Sequence, residues 1–143
     1  MKQSEIQKYQ DLALLLLRIG VGAIFVYAGW GKITGIEGIQ GFFGDLGIPL
    51  PGLMAWVVGV IEFFGGLMIL AGAYIRIPTP FLAFIMLVAI MTTKLGGDFG
   101  AARLDFLLIL ATVAVFVLGS GKYSVDSFLD SKKPDAAVKE SVA

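Results

Sequence analysis

The sequence predicts an all-α membrane protein, a bundle of four transmembrane helices with both termini in the cytoplasm. Composition, four apolar runs and an uneven distribution of positive charge predict it. Of 143 residues, 57% are hydrophobic and 15% charged, with a mean hydropathy of +0.87. A soluble domain carries roughly 25% charged and 45–50% apolar residues, so the chain belongs to the membrane class. The apolar runs cover 12–31, 52–73, 77–95 and 102–119. Each is close to the roughly 17–25 residues that a helix needs to cross a bilayer. One such run could be the buried helix of a soluble protein, but four in succession read as spans.

The first run follows a segment, residues 1–11, of balanced charge, and it is longer than the apolar part of a typical signal peptide. It therefore reads as a span. Four spans place both termini and the turn between spans two and three on one side. That side carries Lys2, Lys8, Arg76, Lys122, Lys132, Lys133 and Lys139, whereas Lys32, Lys94 and Arg103 fall on the other. Positive charge collects on the cytoplasmic side, which sets the orientation. Trp30 and Trp56 then mark the outer interface and Tyr9, Tyr74 and Tyr123 the inner one.

The turn Tyr74-Ile-Arg-Ile-Pro78 is tight, so spans two and three form an antiparallel hairpin, with Pro78 and Pro80 in the first turn of the third span. In the outer loop, Ile36, Ile39, Phe42, Phe43 and Leu46 recur at helical spacing, with Glu37 and Asp45 facing away. That pattern predicts a short amphipathic helix on the outer interface, either a lid over the bundle or a packed connector. Residues 127–143 are small, polar and charged and read as a flexible cytoplasmic tail.

The chemistry open to the chain is narrow. It contains neither cysteine nor histidine, so thiol exchange, Fe–S ligation and the usual haem and zinc sites are not expected. Net charge is zero and no basic stripe is visible, which sets nucleic acid aside. Any redox role must then act on a diffusible cofactor or depend on a partner, a soluble or membrane redox subunit; the lipid bilayer and a second copy of the chain are the other expected partners.

Glu62 is the leading candidate residue. It lies about ten residues from either end of the second run, near the middle of a hydrocarbon core of roughly 30 Å. A carboxylate there costs on the order of 2.5–3.5 kcal/mol on insertion scales, and such residues are usually functional. Glu62 shares a helical face with Ala55, Gly59, Gly66, Ile69 and Ala73; Arg18 shares one with Gly22, Phe25, Gly29 and Lys32. Small residues let helices approach closely in lipid, so both charges point into the bundle. Asp105 opens the fourth span on a face with Leu108, Thr112 and Gly119. An Arg18–Glu62 pair can be read as a buried ion pair that fixes register or as a polar pocket for a ligand or proton. Side chains lean toward the helix N-terminus, which draws Arg18 inward and Glu62 outward and works against a direct bond.

Four stretches, spread over almost the whole ordered chain, carry a family resemblance. They are Leu17-Arg-Ile-Gly-Val-Gly-Ala-Ile-Phe25 with Gly29-Trp-Gly-Lys32; Gly47-Ile-Pro-Leu-Pro51; Glu62-Phe-Phe-Gly-Gly66; and Gly119-Ser-Gly-Lys-Tyr-Ser-Val-Asp126. In these the chain resembles the DoxX family of small four-helix membrane proteins. The resemblance implies the family's arginine at Arg18, lysine at Lys32 and acid at Glu62. Many members carry a histidine where this chain reads Met91-Thr-Thr-Lys-Leu95, and a glutamate where it has Asp105; a role resting on that histidine does not carry over.

The family is named for the small membrane subunit of a thiosulfate:quinone oxidoreductase. The resemblance therefore implies a quinone-interacting subunit or anchor of an oxidoreductase in a prokaryotic inner membrane. On that reading Glu62 and Arg18 are the catalytic pair. Phe25, Trp56 and Phe63, with Lys32 and Asp105, complete a quinone site, and a partner supplies the electrons. A non-enzymatic scaffold or assembly factor, and a small proton-coupled transporter, are the alternatives.

Overall fold

The computed structural model describes residues 1–94 and 99–132. Among them the regular structure is helical: α1 (Gln3–Thr34), α2 (Ile36–Asp45), α3 (Pro51–Ala71), α4 (Pro78–Ala89), a π-helical turn (Ile90–Lys94), α5 (Phe99–Leu118) and α6 (Val125–Lys132). Leu95, Lys133 and Lys139, used above for span limits and charge, lie outside the described residues, as does the Lys94 side chain.

Local sequence explains where the helices start and stop. Pro51 and Pro78 open α3 and α4, where a missing N–H and a preset φ cost nothing. Gly72 ends α3 at φ 71°, and the Gly72 and Ala73 N–H groups close the last turn on Ile69 and Met68 carbonyls. The amphipathic helix expected in the outer loop is α2; it buries Phe43 and leaves Glu37 and Asp45 exposed. Gln40 Nε2 donates to the Gly52 carbonyl at 3.1 Å and ties α2 to the start of α3. One boundary differs from the sequence reading. Val125–Lys132 form helix α6 where the tail was expected to begin, because Asp126 is anchored to the end of α3.

Helices α1, α3, α4 and α5 close a ring in which α1 and α4 each pack against both α3 and α5. The tightest seam is α1–α3, and it is made by glycines. A Cβ on Gly22 would stand 2.8 Å from the Gly66 carbonyl oxygen, one on Gly29 2.8 Å from that of Gly59, and one on Gly66 2.7 Å from the Val26 nitrogen. On the neighbouring face of α3, a Cβ on Gly65 would meet Leu82 of α4 at 3.1 Å. Phe25, Ile69, Leu82, Met86, Leu108 and Val115 fill the core.

The ring is turned inside out relative to a soluble protein. Large apolar side chains such as Tyr27, Phe81, Phe84, Leu107 and Val117 face outward, while Arg18, Glu62, Thr79 and Thr112 are buried. Lipid covers such a surface and leaves the interior as the place for polar groups. Among the described residues two helices, α1 and α3, are long and apolar enough to cross a membrane.

The glycine seam gives a test of opposite signs. Gly66→Ala should destabilise the bundle by about 1–3 kcal/mol through overpacking against backbone. Gly20→Ala, where a Cβ meets nothing within 4 Å, should be neutral or stabilising by about 0.5–1 kcal/mol. Thermal unfolding of the two variants in detergent checks this.

Candidate functional site

The interior charges separate into two centres, and the pairing differs from the one anticipated between Arg18 and Glu62. Arg18, 1% exposed, points along α1 toward its N-terminal end, as the lean of a helical side chain dictates. Its guanidinium donates to four backbone carbonyls: Nε to Ile69 at 3.1 Å, Nη2 to Leu70 at 3.1 Å, and Nη1 to Ser120 at 2.6 Å and Tyr123 at 2.9 Å. A helix end leaves carbonyls without intrahelical partners, and Arg18 satisfies those of α3 together with the loop that follows α5. Four of its five N–H groups are thereby used in holding the bundle shut.

Asp126 completes this clasp. It accepts the Tyr74 N–H on both oxygens at 3.0 Å and the Ser120 hydroxyl at 2.6 Å, while its own N–H donates to the Gly72 carbonyl. Tyr74 holds a left-handed backbone at φ 47°, a conformation that costs roughly 1–2 kcal/mol in a non-glycine residue, and the Asp126 carboxylate fixes it. Sequence reasoning missed this role. The signal was the run of glycines and hydroxyls closing on Asp126, read above only as a family motif.

Glu62 instead meets Lys32. Lys32 Nζ donates to Glu62 Oε2 at 2.7 Å. The carboxylate is wholly buried, whereas the lysine side chain keeps 25% of its surface. Lys32 can reach because α1 passes directly over Gly59, whose missing Cβ would lie 3.4 Å from that of Lys32. Glu62 Oε1 is buried and has no hydrogen-bond partner in the protein. Asp105, half-buried on α5, is near enough for its charge to act on Glu62.

The aromatic residues do not gather into one slot. Phe25, 1% exposed, is core, whereas Trp56 is 43% exposed on the outer surface. Phe63 is half-buried and joins a chain of rings, with centroids 5.8 Å from Trp30 and 5.2 Å from Phe64. The structure therefore pairs Lys32 with Glu62, sets Asp105 within electrostatic range of that pair, and leaves Arg18, Phe25 and Trp56 in other settings.

An intramembrane acid on a glycine stripe, met by a lysine from the first helix, stands within a stretch that comparison with known proteins assigns. Residues 13–95 match the family described as DoxX. The chain belongs to the DoxX family. Among similar DoxX-like relatives, "Putative oxidoreductase CatD" of Bacillus subtilis (strain 168) is 36% identical over 90% of this chain and 95% of its own length. "Inner membrane protein YqjF" of Escherichia coli (strain K12) is 37% identical over 88% of this chain and 98% of that one. "Inner membrane protein YphA" of the same organism is 26% identical over 82% and 90%. This DoxX chain is accordingly a membrane protein. No solved structure matches it. The motif ending at Asp126 lies beyond the residues that match the family.

Two substitutions separate the centres. Lys32→Met leaves a buried carboxylate unpaired and should cost about 3–5 kcal/mol. Adding Glu62→Gln should recover most of that loss, a coupling that a double-mutant cycle of unfolding measures. Arg18→Met, which strips the carbonyls at the end of α3, should destabilise whether or not Glu62 is changed, at about 1–3 kcal/mol for each buried acceptor left unpaired.

Proposed function

We propose that this DoxX protein is a four-span inner-membrane subunit that binds quinone for an oxidoreductase system, with Lys32 and Glu62 as the polar head of the site. The observation that carries this reading is the Glu62 carboxylate, wholly buried, ion-paired on one oxygen and without a protein partner on the other. An ionisable group kept at that depth with spare bonding capacity suits proton handling better than scaffolding. The printed name of the Bacillus subtilis relative supports a redox setting.

Bound quinone would supply the electron chemistry, taking up two electrons and two protons with the electrons delivered by a partner subunit. The chain's residues have the remaining work. Lys32 has three N–H groups and gives one to Glu62, so its others can bind a carbonyl oxygen. Glu62 can give up or accept a proton within hydrogen-bond reach of that position. Lys32, partly exposed, links the buried acid to the surface at the outer end of the bundle.

Arg18 takes no part in this scheme except by holding the helices. The scaffold alternative loses its main support, since the glycine stripes that would bind foreign helices are used between α1 and α3.

Orientation follows the positive-inside reading, with both termini cytoplasmic. The absence of cysteine makes single-cysteine labelling clean. A cysteine at Gly38, on exposed α2, should react with an impermeant maleimide on intact cells, and one at Lys122 only after lysis. The ligand is tested by organic extraction of gently purified protein with mass spectrometry. A stoichiometric quinone in wild type that is lost in Glu62→Gln and Lys32→Met is the expected result. Equal quinone in all three, or none in any, defeats the proposal.

A further inference from the structure

Glu62 Oε1 has a counterpart on the opposite helix. Among the described residues two buried side-chain oxygens lack a hydrogen-bond partner, Glu62 Oε1 and Thr112 Oγ1, and both residues are 0% exposed. A buried hydroxyl or carboxylate left in this condition costs about 1–3 kcal/mol. Native proteins usually meet that need with another group or an internal water.

Thr112 departs from the habit of its neighbours. Thr34, Thr79 and Thr92 each donate their hydroxyl to the carbonyl four residues back, at 2.9, 2.8 and 2.7 Å. That is the ordinary way for a helical threonine to satisfy itself. Thr112 does not take it. Its hydroxyl is free to serve something other than its own backbone.

Three relations bring Thr112 toward Glu62. First, α3 and α5 are diagonal members of the ring, and Glu62 points to its centre. Gly66 on one side of it meets α1 and Gly65 on the other meets α4, so the residue one turn earlier faces between them. Second, Thr112 shares a face of α5 with the buried core residues Leu108 and Val115, four residues before it and three after, so that face is turned into the bundle. Third, the depths agree. Arg18 ties Leu70 of α3 and Ser120, just beyond α5, to one guanidinium, and Glu62 and Thr112 each stand eight residues before those anchors. At about 1.5 Å per residue they share a level to within about one turn. Phe25, Met86 and Leu108 belong to the apolar core of the same bundle.

We propose that Glu62 Oε1 and Thr112 Oγ1 hold one internal water between them on the bundle axis, and that Thr112 is a positioning residue for the Glu62 carboxyl. The two oxygens do not bond directly, and a single water spans oxygens about 5 Å apart with two bonds of about 2.8 Å. Glu62 is then held on both sides, by Lys32 from the outer end and by the water from the axis. The water is the group through which the carboxyl exchanges a proton across the bundle. This inference does not depend on quinone as the ligand.

Infrared spectroscopy of the purified full chain tests it. Bands lost in Glu62→Gln identify the Glu62 carboxyl. Thr112→Val, which keeps the shape and removes the hydroxyl, should shift those bands, and Thr112→Ser should restore them. Exchange into H₂¹⁸O should reveal a water O–H band that is absent from both Glu62→Gln and Thr112→Val. Glu62 bands unchanged in Thr112→Val overturn the assignment. So does a shift without any ¹⁸O-sensitive band, which would mean a direct Thr112–Glu62 bond. Should Thr112→Val fail to assemble, the isotope experiment on wild type and Glu62→Gln decides alone: an ¹⁸O-sensitive band lost with Glu62 upholds the water, and none overturns it. Absence of quinone from the wild-type protein with these bands intact would count against the quinone reading only.

Discussion

The backbone contact between α1 and α3 is the constraint on which the rest of the structure depends. Gly22, Gly29, Gly59 and Gly66 let the two helices approach until side-chain atoms of one would strike the main chain of the other. In lipid there is little hydrophobic drive between helices, so such packing is a principal source of association. It also fixes register. With Gly29 against Gly59, Lys32 stands one turn from Glu62, and with Gly22 against Gly66, Arg18 comes to the end of α3. Neither polar centre could form with the helices slid by a turn.

Within that frame the interior polar groups are distributed by depth. At one end Arg18 and Asp126 bind backbone that helix termini leave unpaired. At mid-depth Lys32 and Glu62 form the buried ion pair. These are different uses of charge. The Arg18 guanidinium is nearly saturated by carbonyls, and its value is to fasten α3, the α3–α4 turn and the segment after α5 into one unit. Glu62 keeps bonding capacity in reserve, which is a poor way to stabilise a bundle and a reasonable way to carry out proton chemistry.

Much of this was legible in the sequence. The helices, the two small-residue faces, the amphipathic helix α2 and the choice of Glu62 follow from periodicity and from the cost of charge in lipid. The partner of Glu62 was harder. Arg18 and Lys32 share one face of α1, and only the register with α3 decides which of them meets the acid. The lean of helical side chains argued against Arg18, and that lean is what the structure realises. The clasp at Asp126 and the free hydroxyl of Thr112 were not legible, because each depends on contacts between residues far apart in sequence. The aromatic residues were misleading for the same reason: Phe25, Trp56 and Phe63 suit an apolar ligand by type, but helical phase sends them to the core, the outer surface and a ring cluster.

The glycine seam also bears on how a ligand can reach Glu62. Between α1 and α3 the backbones leave no passage at the level of the acid, since even a methyl group would collide there. Toward α4, Gly65 packs on Pro78 and Leu82. An approach to the carboxylate remains from the end of the bundle where α1 closes and α5 opens, past the partly exposed Lys32. A ligand arriving that way meets the Lys32 ammonium ahead of Glu62, with Asp105 half-buried on α5 at the same end of the bundle. The order favours a molecule whose leading end accepts hydrogen bonds and whose remainder tolerates an apolar interior. A chain without cysteine or histidine has few ways to move electrons itself, so on the quinone reading proposed above its own part is to select such a ligand and supply it with protons.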